Sequence, residues 1–142
     1  MKRFHFPLER VRRWRVEQAY VEELKLQSLF GQLGSLAEKK AKVEKERAAS
    51  EQVLEQPSVE ATALQALDAY RGHSRTKIGE LDKQQREVAA EIEQQRQRLM
   101  EARRQAELLE RFKTKMFEDW KALADREEES AAGELYLAKW RR

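Results

Sequence analysis

Apolar residues recur at alternating intervals of three and four over most of the second half of the chain. Stepping in this way from Leu64 to Leu123 meets an apolar residue at most positions. This spacing puts a narrow apolar stripe on one side of a helix, and its persistence over at least six heptads is typical of a coiled coil. The pattern predicts a helix over about residues 59–140. Its stripe, called the seam below, includes Leu81, Val88, Ile92, Leu99, Leu109 and Met116.

The first part of the chain repeats the spacing, but in two phases. The downstream phase includes Leu29, Leu33, Leu36 and Val43, and the upstream phase includes Leu8, Val11, Trp14, Gln18, Val21 and Leu24. The two phases differ by about one residue, so we expect the seam to slip near residues 21–26, as an interruption of a heptad pattern produces. This part of the chain predicts a first helix over about residues 8–55.

Gln56-Pro57-Ser58 separates the two predicted helices. Proline has no N–H to donate and disfavours helical backbone at the preceding residue, whereas serine is a good N-cap. We expect a turn at residues 56–58 that folds the helices back antiparallel, with residue i facing about residue 114–120 minus i. The predicted fold is all-α. It is a single domain over residues 1–142, a long two-helix antiparallel coiled-coil hairpin with a C-terminal helix overhang beyond about residue 120.

Glycines interrupt the regular pattern at two places. The stretch from Leu26 to Ala37 contains no charged residue and holds Gly31 and Gly34. These glycines fit a close helix approach, a slight bend, or a patch that binds a partner. Gly72 and Gly79 fall in the first turns of the second helix, where two glycines cost about 2 kcal/mol relative to alanine. There the tip of the hairpin either frays or is shaped for a partner.

Composition narrows the classes of function. Ala, Glu, Lys, Leu and Arg supply 85 of the 142 residues, 39% of the chain is charged, and cysteine is absent. Such a chain can bury a thin seam but not a pocket of the size that small molecules need. His5 and His73 lie at opposite ends of the proposed hairpin, and no phosphate-binding loop or nucleophile motif occurs. We therefore expect no enzyme activity, no cofactor and no metal site.

The apolar runs are also too short for a membrane segment. None approaches the roughly 18 residues that a span requires, and the basic opening is not followed by the apolar run of a secretory signal. The expected location is the cytoplasm.

The first 15 residues carry six basic side chains and one acidic one. Four of the basic residues are Arg10, Arg12, Arg13 and Arg15. They fit a solvated helix end, a site for an acidic protein partner, or a site for the phosphates of nucleic acid or of an anionic membrane. In the antiparallel hairpin Phe4, Phe6 and Trp120 lie at the same end. Aromatic residues and arginine are enriched together at protein interfaces, which favours the protein partner.

Two segments carry motifs beyond this periodicity. The chain opens with Phe4-x-Phe6-x-Leu8-x-x-Val11, followed by Arg15 and Glu17. A later stretch reads Leu108-Leu109-Glu110-Arg111-Phe112 with Trp120, followed by Arg126-Glu127-Glu128 and, after Ser130-Ala131-Ala132-Gly133, by Glu134-Leu135. Together with the central break and the two-helix layout, these segments resemble the flagellar export protein FliJ family.

The resemblance implies a cytoplasmic part of the flagellar type III export apparatus, peripheral at the inner face of the cell membrane through its partners. The paired terminal end would insert in the hexameric export ATPase; its residues here are Phe4, Phe6, Arg10, Arg12, Arg13, Arg15 and Trp120. The region after the turn, with Tyr70, His73 and Ile78, would contact the export gate protein. Export chaperones are further implied partners, and nucleic acid is not. The alternatives are a basic coiled coil that binds nucleic acid or anionic membrane, an injectisome stalk, or a parallel dimer of long helices.

Overall fold

The computed structural model describes residues 2–142. Helix α1 is Glu9–Ser50, a short 3-10 helix follows at Glu51–Glu55, and helix α2 is Ala61–Trp140. No strand occurs among the described residues, and the two long helices pack against each other. The prediction of an all-α hairpin of two long helices is therefore confirmed.

The turn is longer than the sequence pattern predicts. Helix α1 ends at Ser50, whose hydroxyl donates a hydrogen bond to the Arg47 carbonyl at 2.6 Å, and the backbone then tightens into the 3-10 helix. Serine side chains that bond to the local backbone compete with helical hydrogen bonding, which accounts for this ending. Gln56 is extended, as expected before proline, and α2 begins at Ala61 instead of residue 59.

The helices form two compact units. The first unit combines the chain up to Val21 with Leu99–Arg142. Its helices are antiparallel, since Arg12 binds Glu110 and Lys113 binds Glu9, each at 3.0 Å. The residue numbers of each pair add to 122, so the register lies two residues beyond the predicted range of 114–120. The buried apolar side chains of this unit are those of Phe6, Leu99 and Ala124.

The second unit is Glu22–Arg98. Lys40 binds Asp82 at 2.7 Å, and Arg71 binds Glu51, so its helices are also antiparallel and its paired residue numbers also add to 122. Its buried apolar side chains are those of Val43, Leu67, Leu81 and Ile92. Two buried polar residues, Ser74 and Gln95, complete this core.

The predicted seam residues take two levels of burial. Val43, Leu81, Ile92 and Leu99 are buried. The half-buried ones are Leu29, Leu33, Leu36, Val88, Leu109 and Met116. Two helices shield each seam residue from two sides only, so many side chains along the seam keep some contact with water.

The predicted slip of the seam near residues 21–26 is wrong. In the first unit Arg12, Arg15 and Ala19 are half-buried towards α2, whereas Val11 and Trp14 of the predicted upstream phase are exposed. Arg12, Arg15, Ala19, Glu22 and Leu26 follow one another at intervals of three and four, and all are half-buried. The seam of α1 therefore keeps a single heptad phase through residues 21–26. Arginine stems can cover apolar surface while their charged groups bind acids of α2, which is why they occupy seam positions here.

The glycines do not mark close helix contacts. A Cβ atom added at Gly31 or Gly34 would meet no atom within 4 Å, so the expected close approach at these residues is wrong. Gly72 and Gly79 lie inside α2, which is helical through this region. The hydrogen bonds of the surrounding turns outweigh the small cost of each glycine.

Helix α2 extends beyond its packed part in the first unit. Leu123, the last predicted seam residue, is exposed, and Ala124 is buried in its place. Residues 125–142 are all exposed, so the overhang begins after residue 124 instead of about residue 120. No helix of the described chain combines the length and apolar character that a membrane crossing needs.

Candidate interaction surface

An aromatic cluster joins the start of the chain to α2 in the first unit. The Phe4 ring packs edge-on against Phe117, with centroids 5.2 Å apart, and lies 5.8 Å from Trp120. Phe6 contacts Phe112 in a similar edge-on geometry at 5.8 Å. Such aromatic pairs contribute about 0.5–1.5 kcal/mol each beyond the area they bury. The cluster therefore fixes residues 4–6, which precede α1, onto α2.

The three aromatic residues predicted to bind a partner lie together in this cluster, but they differ in access. Phe6 is only 4% exposed, so it supports the surface from beneath and does not present a ring to a partner. Phe4 and Trp120 are half-buried and keep part of their rings accessible.

The four predicted arginines divide into two pairs. Arg12 donates hydrogen bonds to both carboxylate oxygens of Glu9, at 2.7 and 2.9 Å, and binds Glu110 on α2. Arg15 donates to the side-chain oxygen of Gln105 and lies 4.7 Å from the centre of the Trp14 ring. Both arginines thus hold α1 and α2 together. Arg12 and Arg15 are therefore structural residues of the first unit.

Arg10 and Arg13 form the outward-facing pair. Both are exposed, and Arg13 makes only a longer contact of 3.4 Å with Glu9. Together with His5, Trp14 and Glu17 they line an open groove, called the N-terminal groove below. The Trp14 side chain is 48% exposed beside it. This groove offers two exposed guanidinium groups, of which Arg13 also contacts Glu9, next to an accessible indole ring.

Glu9 also lines the groove and is the centre of an ion-pair network with Arg12, Arg13 and Lys113. Its hydrogen bonds with Arg12 and, to a smaller extent, Lys113 lower its pKa from 4.5 to about 2. The same Glu9 carboxylate raises the pKa of Arg12. Glu9 therefore stays negative down to strongly acidic pH and neutralises cations that hold the helices together, while Arg10 and Arg13 supply the positive charge of the groove.

The residues predicted for the tip lie on α2 in the second unit. His73 is exposed, Tyr70 is half-buried, and Ile78 is half-buried in the seam. The neighbouring Arg71 binds Glu51 of the 3-10 helix, which lowers the pKa of Glu51 and ties the start of α2 to the end of α1. His73 and Tyr70, three residues apart, share one side of α2 and are the accessible part of this predicted site.

The uncharged stretch of α1 in the second unit remains open to a partner. Phe30 is exposed there, and the Arg96 guanidinium covers its ring at 5.5 Å. An open groove beside this stretch is lined by Leu33, Ala37, Gly79, Asp82, Gln85, Arg86 and Ala89. Gly31 and Gly34 do not serve helix packing, so a slight bend and a partner-binding patch are the two interpretations of this stretch that stay predictions.

Trp14 and Val11 are functional candidates that the sequence pattern misplaces in the seam. The sequence spacing nevertheless contained a signal that these two residues are exposed. Counting back from Leu26 in steps of four and three gives Glu22, Ala19, Arg15 and Arg12. This continuous phase leaves Val11 and Trp14 beside the seam, whereas the apolar residues alone suggested a slip.

Among residues 2–142, no group of three or more histidine or acidic side chains is arranged to hold a metal ion. The chain matches no protein-family model, and neither the curated proteins nor the solved structures include a match to it.

Proposed function

We propose that this protein is a stalk-like component of the bacterial flagellar type III export apparatus. The N-terminal groove and the adjacent aromatic cluster bind the hexameric export ATPase. The part of α2 around Tyr70 and His73 binds the export gate, and export chaperones are further partners. The protein acts by binding, without catalysis of its own, and is held at the inner face of the cell membrane through these partners.

The main support for the proposal is that the two segments that resemble the FliJ family pack against each other. The opening motif supplies Phe4 and Phe6, and the later motif supplies Phe112 and Trp120. These residues are more than 100 positions apart in the chain, yet Phe6 contacts Phe112 and Phe4 contacts Trp120 in the first unit. The resemblance thus coincides with one packed surface.

The geometry narrows the binding residues. Arg12 and Arg15 bind Glu9, Glu110 and Gln105 within the protein, whereas Arg10 and Arg13 are exposed to solvent, with only a 3.4 Å contact from Arg13 to Glu9. Charge-assisted hydrogen bonds of this kind are the strong ones at protein interfaces. A ring that presents carboxylates to a thin helical rod would therefore be recognised by Arg10, Arg13 and the exposed Trp14.

The test is binding to the cognate export ATPase and its effect on ATP hydrolysis. We expect the double variant Arg10→Ala/Arg13→Ala to weaken binding at least about tenfold while its helical circular dichroism stays unchanged. The matched control is Arg75→Ala/Arg86→Ala, which removes two exposed arginines of the second unit and should leave ATPase binding unaffected. If the wild type neither binds the ATPase nor changes its activity, the proposal is wrong.

A second function is favoured by the same charges. A groove with two exposed arginines beside an exposed tryptophan also fits phosphate groups, on nucleic acid or on an anionic membrane. In that case binding to DNA or to anionic vesicles falls steeply with salt and is lost in the Arg10→Ala/Arg13→Ala variant. Binding to the ATPase of an injectisome in place of the flagellar one would assign the protein to that related apparatus.

A further inference from the structure

The overhang of α2 exposes a concentration of large apolar side chains. Leu135, Tyr136, Leu137 and Trp140 lie within six residues and are 61–76% exposed. Tyr136 and Trp140 are one helical turn apart, and their ring centres are 6.4 Å from each other. A helix that is apolar and unpacked at its end leaves a patch of the kind that marks an interaction site. Residues 125–140 are all exposed in the first unit.

The charges of the overhang are segregated along its length. The part from Asp125 to Glu134 holds five acidic residues and one basic residue. The part after it holds three basic residues and no acidic one, namely Lys139, Arg141 and Arg142. A segment that is acidic in its first half and basic at its end is complementary to a copy of itself, provided that the two run antiparallel.

We propose that residues 125–140 form an antiparallel helix pair with the same residues of a second copy of this chain, and that Arg141 and Arg142, just beyond the helix end, bind acidic residues of the partner copy. When residues whose numbers add to about 269 face each other, Glu127 lies opposite Arg142, and Glu128 lies opposite Arg141. The same register brings Tyr136 of each copy to Gly133 of the other, where a Cβ atom would meet nothing within 4 Å. A parallel pair would instead set acids against acids and cations against cations, which costs binding energy.

The pair is short, so the dimer is weak. Sixteen residues of helix span roughly 24 Å, and two such helices bury an area at the lower end of that of specific interfaces. Most molecules of the protein are therefore monomeric at low concentration and dimeric at high concentration. This surface is separate from the N-terminal groove, so the inference does not depend on the proposed function.

The test is the mass of the full chain in solution over a range of about 1 to 500 μM, by sedimentation equilibrium. We expect the mass to rise from 16.8 kDa towards twice that value. The variant Glu127→Lys/Glu128→Lys/Glu129→Lys and the variant Lys139→Glu/Arg141→Glu/Arg142→Glu should each raise the dissociation constant by more than about tenfold, because each sets like charges opposite each other.

Mixing the two variants decides between loss of pairing and loss of structure. Each variant then presents to the other the charges that it lacks in itself, so we expect an equimolar mixture to recover the heterodimer. The double variant Tyr136→Ala/Trp140→Ala tests the apolar part and should also stay monomeric. A wild type that remains at 16.8 kDa throughout, dimerisation that survives both charge reversals, or a mixture that stays monomeric overturns the proposal.

Discussion

The two compact units use the same pair of helices but hold it together with different chemistry. In the first unit the seam positions of α1 include Arg12 and Arg15, and an aromatic cluster covers the end of the pair. In the second unit the buried apolar residues are all aliphatic, Val43 and Ile92 among them, and they pack with the buried polar residues Ser74 and Gln95. The difference has a consequence for the surface. Where arginines occupy the seam, Val11 and Trp14 are left beside it and exposed, so the first unit carries the candidate interaction surface.

The largest expected effect is common to both units. Replacing Leu99 with Asp puts a carboxylate at a seam position that is only 6% exposed, and we expect a loss of more than about 3 kcal/mol in the free energy of unfolding. Ile92→Asp should cost as much in the second unit. Urea unfolding followed by circular dichroism measures both.

The matched control for that prediction is Met100→Asp. Met100 is the next residue and is 70% exposed, so its replacement should change the free energy of unfolding by less than about 0.5 kcal/mol. Equal effects of Leu99→Asp and Met100→Asp would show that the seam of the first unit is misplaced.

A smaller effect separates the units. Phe6→Ala removes a buried ring that packs on Phe112, and we expect a loss of about 3 kcal/mol together with a change in Trp120 fluorescence as residues 4–6 leave α2. Phe30→Ala, at an exposed aromatic residue of the second unit, should cost less than about 1 kcal/mol. Similar losses in the two variants would contradict the aromatic anchoring of the first unit.

The polar part of the second core gives the next effect. The Gln95 side chain donates a hydrogen bond to the Glu22 backbone carbonyl at 3.0 Å and another to the Glu22 carboxylate. Gln95→Ala should cost about 1–2 kcal/mol, because two half-buried acceptors of Glu22 lose their donor. Since the bond to Gln95 is the main cause of the lowered Glu22 pKa, that pKa should rise, as NMR titration can measure. An identical result for Gln94→Ala, at an exposed neighbour, would remove the assigned role of Gln95.

The smallest effect concerns the pH dependence of the first unit. Glu9 has a pKa of about 2 in the folded chain and an ordinary value of 4.5, so the folded chain binds fewer protons in between. Glu9 therefore adds stability above about pH 4.5, and this contribution is lost as the pH falls towards 2. Water around these groups keeps the effect small.

The comparison of variants isolates this contribution. We expect the urea midpoint of the wild type to fall between pH 5 and pH 2.5 by more than that of Glu9→Gln, which cannot titrate at this position. Glu17→Gln, at an exposed glutamate of the same helix, should behave as the wild type does. A pH dependence that is the same in all three proteins would mean that the Glu9 network does not stabilise the fold.

The sequence by itself determined the helices and most of the contacts along α2. A spacing of three and four with few β-branched residues leaves a helix as the only regular structure that gathers Leu81, Ile92 and Leu99 on one side, and Pro57 forces the chain to turn. The position of the basic and aromatic residues at one end also follows, since an antiparallel turn brings the start of the chain to the later part of α2.

Only the tertiary structure decided which charged residues are part of the packing. A pattern based on apolar residues alone predicts that Arg12 and Arg15 are solvated and that Trp14 is buried. It does not include the ion pair that Arg12 forms with Glu110 on the other helix. Burial of an arginine stem depends on a partner about 100 residues away in the chain, and that information is absent from any local pattern. For the same reason the exact register and the access of Arg10, Arg13 and Trp14 came from the packed helices alone.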